Sequence, residues 1–144
     1  NSGTKVGGLV SKSNAADVKV WNCLISGNAG SKDTEDTGYE AADAKKLALY
    51  TTLVGKKLYS DTGVESEVAF DPASMLGQLA DNGGYTRTVA LTGSSNPAVT
   101  SGLTAEELTS IAESTIVPAG DRSLLAKDQR GENRKGNHLG ACAK

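Results

Sequence analysis

Aromatic residues are scarce in this chain: one Trp, one Phe and four Tyr among 144 residues, 4% in all. With 38% hydrophobic residues and 17 Gly, whatever core forms must be lean and aliphatic. The length suits one domain of ordinary size. Long apolar runs are missing too, so no segment reads as a membrane span. Residues 1–10 hold one Lys and no apolar stretch, so no secretory signal is visible. The chain is therefore expected to start after processing, or to be cut from a longer protein.

Histidine and cysteine are nearly absent. His138 stands alone, and Cys23 and Cys142 lie in the first and last parts of the chain. That excludes a zinc site of the usual ligand spacing. His138 has only Cys142 near it in sequence, and a Cys-His pair close to a chain end reads as accident rather than a nucleophilic site. Gly83-Gly84 is not followed by the Lys-Ser/Thr of a phosphate-binding loop. The two cysteines admit two readings: a disulfide closing a loop over most of a secreted chain, or two small buried hydrophobes.

Charge of one sign is not in excess either. The net charge is −2, from 15 basic and 17 acidic residues. The distribution is uneven: residues 121–144 carry +3 through Arg122, Lys127, Arg130, Arg134, Lys135 and Lys144 against Asp121, Asp128 and Glu132. Such a tail would follow an anionic glycan or phosphate, but reads first as a solvated loop. No basic face interleaved with aromatics exists, so nucleic acid is not an expected partner.

What is present is a series of short β-prone runs between turns. Residues 18–25 (VKVWNCLI) end at Ser26-Gly27-Asn28, and residues 47–54 alternate in the manner of a strand after a helix-forming stretch at 40–48. Residues 31–38 are polar and acidic and read as a loop. Val64, Ser66, Val68 and Phe70 alternate with Glu65, Glu67 and Ala69, as in a strand with one buried face, and Asp71-Pro72 ends it. Asn82-Gly83 is a strong turn signal before a β-prone run at 85–91. The one clear helix lies at 103–114, with Thr104 and Glu107 spaced as a capping box.

Residues 75–102 (MLGQLADNGGYTRTVALTGSSNPAVTSG) hold the phrase on which the rest turns. With Phe70-Asp71-Pro72 before it and Asp128-Gln129-Arg130-Gly131, Arg134 and Leu139-Gly140-Ala141 after it, the chain resembles the end of secreted right-handed parallel β-helix proteins. These are the choice-of-anchor proteins of the pectate-lyase-like superfamily. The run VKVWNCLISGN is similar to one of their rungs. Gln78, His138, Cys142 and Ala143 depart from the family's pattern, where Pro, Asp, an aromatic and Glu are usual. The resemblance implies an all-β fold: a few rungs of parallel β-helix, the C-terminal portion of a longer solenoid, with the helix at 103–114 as an insertion. It also implies secretion or surface display. A solenoid cut open exposes its first rung, so upstream rungs or a second copy are expected to cover that end.

Within that resemblance one acidic group would carry chemistry. Asp61, Glu65, Glu67 and Asp71 crowd one region, and Glu65 and Glu67 share a strand face. Two carboxylates so placed would flank a glycosidic bond or hold calcium; the plainer reading is the solvent side of a half-buried strand. No other cofactor is implied. Asp128, Arg130, Gly131 and Arg134 read as a structural terminal motif, with Arg suited to two-pronged pairing with a carboxylate. The leading expectation is a non-catalytic structural or adhesive module contacting a glycan or a surface protein. The alternatives are a polysaccharide lyase or hydrolase using the acidic group, and a subunit that stacks into filaments through open solenoid ends.

Overall fold

The computed structural model describes residues 8–9, 18–28, 47–114 and 117–140. The expected loop at 31–38 and all but the end of the stretch at 40–48 lie outside them. Two compact units divide the chain, Asn1–Pro72 and Ala73–Lys144.

In the first unit, β1 (Val18–Trp21) pairs in parallel with β3 (Leu47–Tyr50), and β2 (Leu24–Ile25) pairs in parallel with β4 (Thr52–Val54). The bends between them are stacked as well. Asn22 and Thr51 both take left-handed backbone, with φ of 53° and 41°. Two non-glycine residues in that region cost conformational energy, and the surrounding bonds hold them there. Asn22 N–H donates to the Tyr50 carbonyl at 3.3 Å and Leu53 N–H to the Cys23 carbonyl at 2.9 Å. The buried Thr52 hydroxyl donates to the Tyr50 carbonyl at 2.8 Å and accepts from Cys23 N–H at 3.4 Å. Trp21 stacks on Tyr50 with ring centroids 4.2 Å apart. Leu49 and Val54 are buried against Leu9, Val18, Val20, Ile25 and Tyr59, a small aliphatic core.

After Val54 the chain reverses over Gly55-Lys56 into β5 (Lys57–Tyr59), and β6 (Glu65–Glu67) follows, both antiparallel. Thr51 divides the run at 47–54 into two strands. The half-buried strand expected at 64–70 shrinks to three exposed residues: Val64 is 67% exposed, while Phe70 is buried but lies beyond the strand.

In the second unit, β7 (Leu76–Ala80) pairs antiparallel with β8 (Thr88–Leu91), with an irregular register between Leu76 and Leu79. The expected run at 85–91 becomes a strand only from Thr88. Ser74 and Met75 belong to α1 (Pro72–Met75), and their carbonyls accept from the hydroxyl and N–H of Thr92, each at 3.0 Å. Asn96 is fully buried and completely satisfied. Its amide donates to the Met75 and Thr92 carbonyls at 2.7 and 3.0 Å, and its oxygen accepts from Ala98 N–H at 2.9 Å, capping α2 (Pro97–Thr100). Helix α3 (Ala105–Glu113) carries the Thr104/Glu107 capping box and packs against a 3-10 helix at Arg122–Ala126. The segment after it returns along α2: Leu139 N–H donates to the Ala98 carbonyl and Gly102 N–H to the Asn137 carbonyl, both at 2.8 Å.

The fold is thus not the expected all-β parallel solenoid. Among the described residues the sheets have two, four and two strands, three of the five strand pairings are antiparallel, and helices supply part of the second unit. The physical reason is the two-residue reversal at Gly55-Lys56. A parallel coil needs a long return path before its next strand, and here the chain folds straight back on itself. Stacking of open solenoid ends loses its premise with the solenoid.

Gly102 permits the returning segment at 137–139 to approach. A Cβ there would lie 2.4 Å from the His138 carbonyl carbon and 2.5 Å from its oxygen. Gly102→Ala is expected to lower stability by about 3 kcal/mol through overpacking against backbone. Gly120→Ala, where a Cβ meets nothing within 4 Å, should change it by less than about 0.5 kcal/mol. Urea unfolding midpoints measure both, and equal midpoints would show that the close approach does not hold.

Candidate functional site

Of the acidic group, Glu65 and Glu67 lie on β6 opposite Tyr59 and Lys57 of β5, so all four share one sheet face. Glu65 is held at 3.3 Å from the Lys57 ammonium and accepts from the Tyr59 hydroxyl at 3.1 Å. Lys57 is thus the cross-strand cation for Glu65. All of Asp61, Glu65, Glu67 and Asp71 are exposed. Among the described residues, no three of His, Cys, Asp and Glu gather as a metal site would require. An exposed ion pair of this kind contributes about 0–1 kcal/mol. The group is a solvated strand face and its flanks.

The Cys23 thiol lies 3.2 Å from the Trp21 carbonyl and donates to it. Cys142 lies outside the described residues, and so does the question of their pairing.

The terminal motif forms a closed turn around one carboxylate. Asp128 has a fully buried side chain. Its Oδ2 accepts from Arg130 Nε at 2.8 Å and Nη2 at 2.7 Å, and its Oδ1 accepts from the backbone N–H of Arg130 at 2.8 Å and of Glu132 at 3.3 Å. Backbone bonds complete the turn: Gly131 N–H to the Asp128 carbonyl, and Asp128 N–H to the Glu132 carbonyl. Gly131 has φ of 84°, a region open to glycine without strain. Arg134 joins the same segment, its N–H donating to the Ala126 carbonyl at 2.8 Å and its Nη2 to the Gly140 carbonyl at 3.1 Å.

This turn is locked onto the Asn82-Gly83-Gly84 turn. A Cβ on Gly84 would lie 2.6 Å from Arg130 Cα, so the two backbones touch only because Gly84 has none. Arg130 Nη1 donates to the Asn82 carbonyl at 3.4 Å, and the Gln129 amide donates to the Thr86 hydroxyl at 2.9 Å. Asn82 is itself fixed, its amide donating to the carbonyl and hydroxyl oxygens of Thr88 at 2.8 and 3.1 Å. Gly83 N–H donates to the Asp81 carboxylate at 3.0 Å. The two phrases singled out by sequence, 46 residues apart between Asn82 and Asp128, are one structural unit.

Between the turns lies a cleft of about 330 Å³ lined by Asn82, Gly83, Gly84, Arg130, Glu132, Asn133 and Lys135. Arg130 is neutralised by Asp128. The charge left on the lining is Lys135 against Glu132. Each side chain on the lining carries a hydrogen-bonding group, and among the described residues the lining holds a single carboxylate and no Ser, Thr, Cys or His. Sequence reasoning found Arg130 and the glycine turn, took Glu132 and Lys135 only as charges of the tail, and did not single out Asn133. Their place on the lining depends on the closed turn at 128–132, which no local pattern reveals.

No family model, curated protein or solved structure matches the chain.

Breaking the pair leaves a buried carboxylate with fewer donors. Arg130→Ala should destabilise by about 3 kcal/mol, near the low end for a broken buried pair because the Arg side chain is 21% exposed. At this chain length that is a fall in Tm of about 10 °C. Calorimetry reads it directly; an unchanged Tm would remove the structural role of the motif.

Proposed function

We propose that the chain is a non-catalytic module acting outside the cell or on its surface, where it contacts a glycan or a surface protein. The observation that carries this reading is the cleft between the Asn82-Gly83-Gly84 and Asp128–Glu132 turns. It is polar, held in shape by bonds on both walls, and equipped for recognition rather than bond breaking. Glycoside cleavage by the usual route needs two carboxylates across the scissile bond, and the lining has one. The hydroxyl, thiol and imidazole groups that most often serve nucleophilic catalysis are not among the lining side chains. The second carboxylate-bearing region, on β6, is an exposed strand with Glu65 occupied by Lys57 and Tyr59. The phrases shared with secreted choice-of-anchor proteins support the setting, outside the cell, and not the solenoid. No helix among the described residues is long and apolar enough to cross a membrane.

The test is retention without turnover. Labelled chain is expected to bind immobilised extracellular polysaccharide or intact cells while releasing no reducing or unsaturated sugar ends. Release of such ends, abolished by Glu65→Gln together with Glu67→Gln, would replace this reading with the enzymatic one.

A further inference from the structure

We infer that the cleft between the two turns is a binding site for a neutral oligosaccharide, with Tyr85 as the platform for a sugar ring. The inference rests on the surface-module reading and names its ligand.

Three observations select the ligand class. The first is charge. Arg130 spends its Nε and Nη2 on Asp128 and directs Nη1 to the Asn82 carbonyl. Lys135 and Glu132 then oppose one another on the lining. A monoanion gains from one and is repelled by the other, and so does a cation. A neutral polyol loses nothing to this balance and uses both.

The second is hydrogen-bonding valence. Glu132 offers two acceptor oxygens, Lys135 three donors, and Asn133 one acceptor and two donors. All three side chains belong to exposed residues. Adjacent hydroxyls of a sugar, each both donor and acceptor, match a carboxylate on one side and an ammonium or amide on the other. Hydrogen bonds to charged groups are the stronger kind.

The third is Tyr85. It follows Gly84 directly, which puts its Cα about 3.8 Å from that of a lining residue, and it is fully exposed, at 101% of its reference area. In a chain with 4% aromatic residues, Tyr85 is a fully exposed ring one residue from the lining. An aromatic face covers the C–H face of a pyranose as it would any flat apolar surface, while its hydroxyl keeps a polar contact. The volume of about 330 Å³ sits at the lower end for small-molecule sites, enough for one or two sugar units of a longer chain. The backbone walls are already fixed by Asp128 and Asn82, so the ordering cost on binding is confined to the exposed side chains of Glu132, Asn133 and Lys135.

The experiment is a ¹H–¹⁵N titration of the full chain with cellotetraose, maltotetraose, mannotetraose and chitotetraose, and with oligogalacturonate as the anionic comparison. At least one neutral probe is expected to shift the Gly83 and Gly84 amides. Glu132→Gln and Tyr85→Ala should each weaken that binding about tenfold or more, with Tm unchanged because both side chains lie in solvent. The inference is overturned if no neutral probe moves those amides, if oligogalacturonate alone does, or if binding survives both substitutions. The two readings separate cleanly. Surface binding that persists in Glu132→Gln and Tyr85→Ala keeps the surface module and discards this site. Oligosaccharide binding at the cleft without any binding to cells or polysaccharide keeps the site and discards the surface role.

Discussion

One buried carboxylate organises the second half of this chain. Asp128 receives two backbone N–H groups and two guanidinium N–H groups, and each of those bonds fixes a different thing. The backbone bonds shape the 128–132 turn. The guanidinium bonds orient Arg130 so that its remaining nitrogen reaches the Asn82 carbonyl. The backbone of Arg130 is then close enough to Gly84 that no other residue than glycine fits there without movement. From those three links follow the joining of two distant turns and the cleft between them. A carboxylate left in a dry site without such donors would cost several kcal/mol, so the donor set and the burial are inseparable.

The local chemistry of the sequence was legible and its long-range pairing was not. Thr104 and Glu107 mark the start of α3 because a capping box involves four consecutive residues and nothing else. Asn96 caps α2 through a local bond, although its full role needs the carbonyls of Met75 and Thr92, which no local pattern reveals. Thr51 reads as a strand interior, and only its stacking on the Asn22 bend explains why a β-branched residue sits at positive φ. The solenoid expectation failed at this level. Phrases such as Leu-Ala-Asp-Asn-Gly-Gly and Asp-Gln-Arg-Gly specify turns, and the same turns serve a fold whose strands mostly pair antiparallel.

Site legibility divides along the same line. Asp128 and Arg130 announced themselves as residue types suited to a bidentate pair. Glu132, Asn133 and Lys135 are ordinary surface residues by composition, and acquire meaning only from the turn that faces them toward Gly83 and Gly84. The acidic group at 61–71 keeps its plainer reading as a solvated strand face: Glu65 and Glu67 stand opposite Tyr59 and Lys57 of β5, and Glu65 bonds to both.

The choice of an ionic pair at this point has a geometric reason. Well-packed apolar residues of similar volume often replace buried ion pairs at no loss of stability. They would not do so here, because half of what Asp128 binds is backbone. Leucine in its place would leave the N–H groups of Arg130 and Glu132 without their acceptor inside a closed turn, each at a cost of about 1–3 kcal/mol. The turn would open, Arg130 would be released from the Asn82 carbonyl, and the wall of the cleft would go with it. Stability and the shape of the recess therefore depend on the same four bonds, and a recess built this way reaches any ligand already formed.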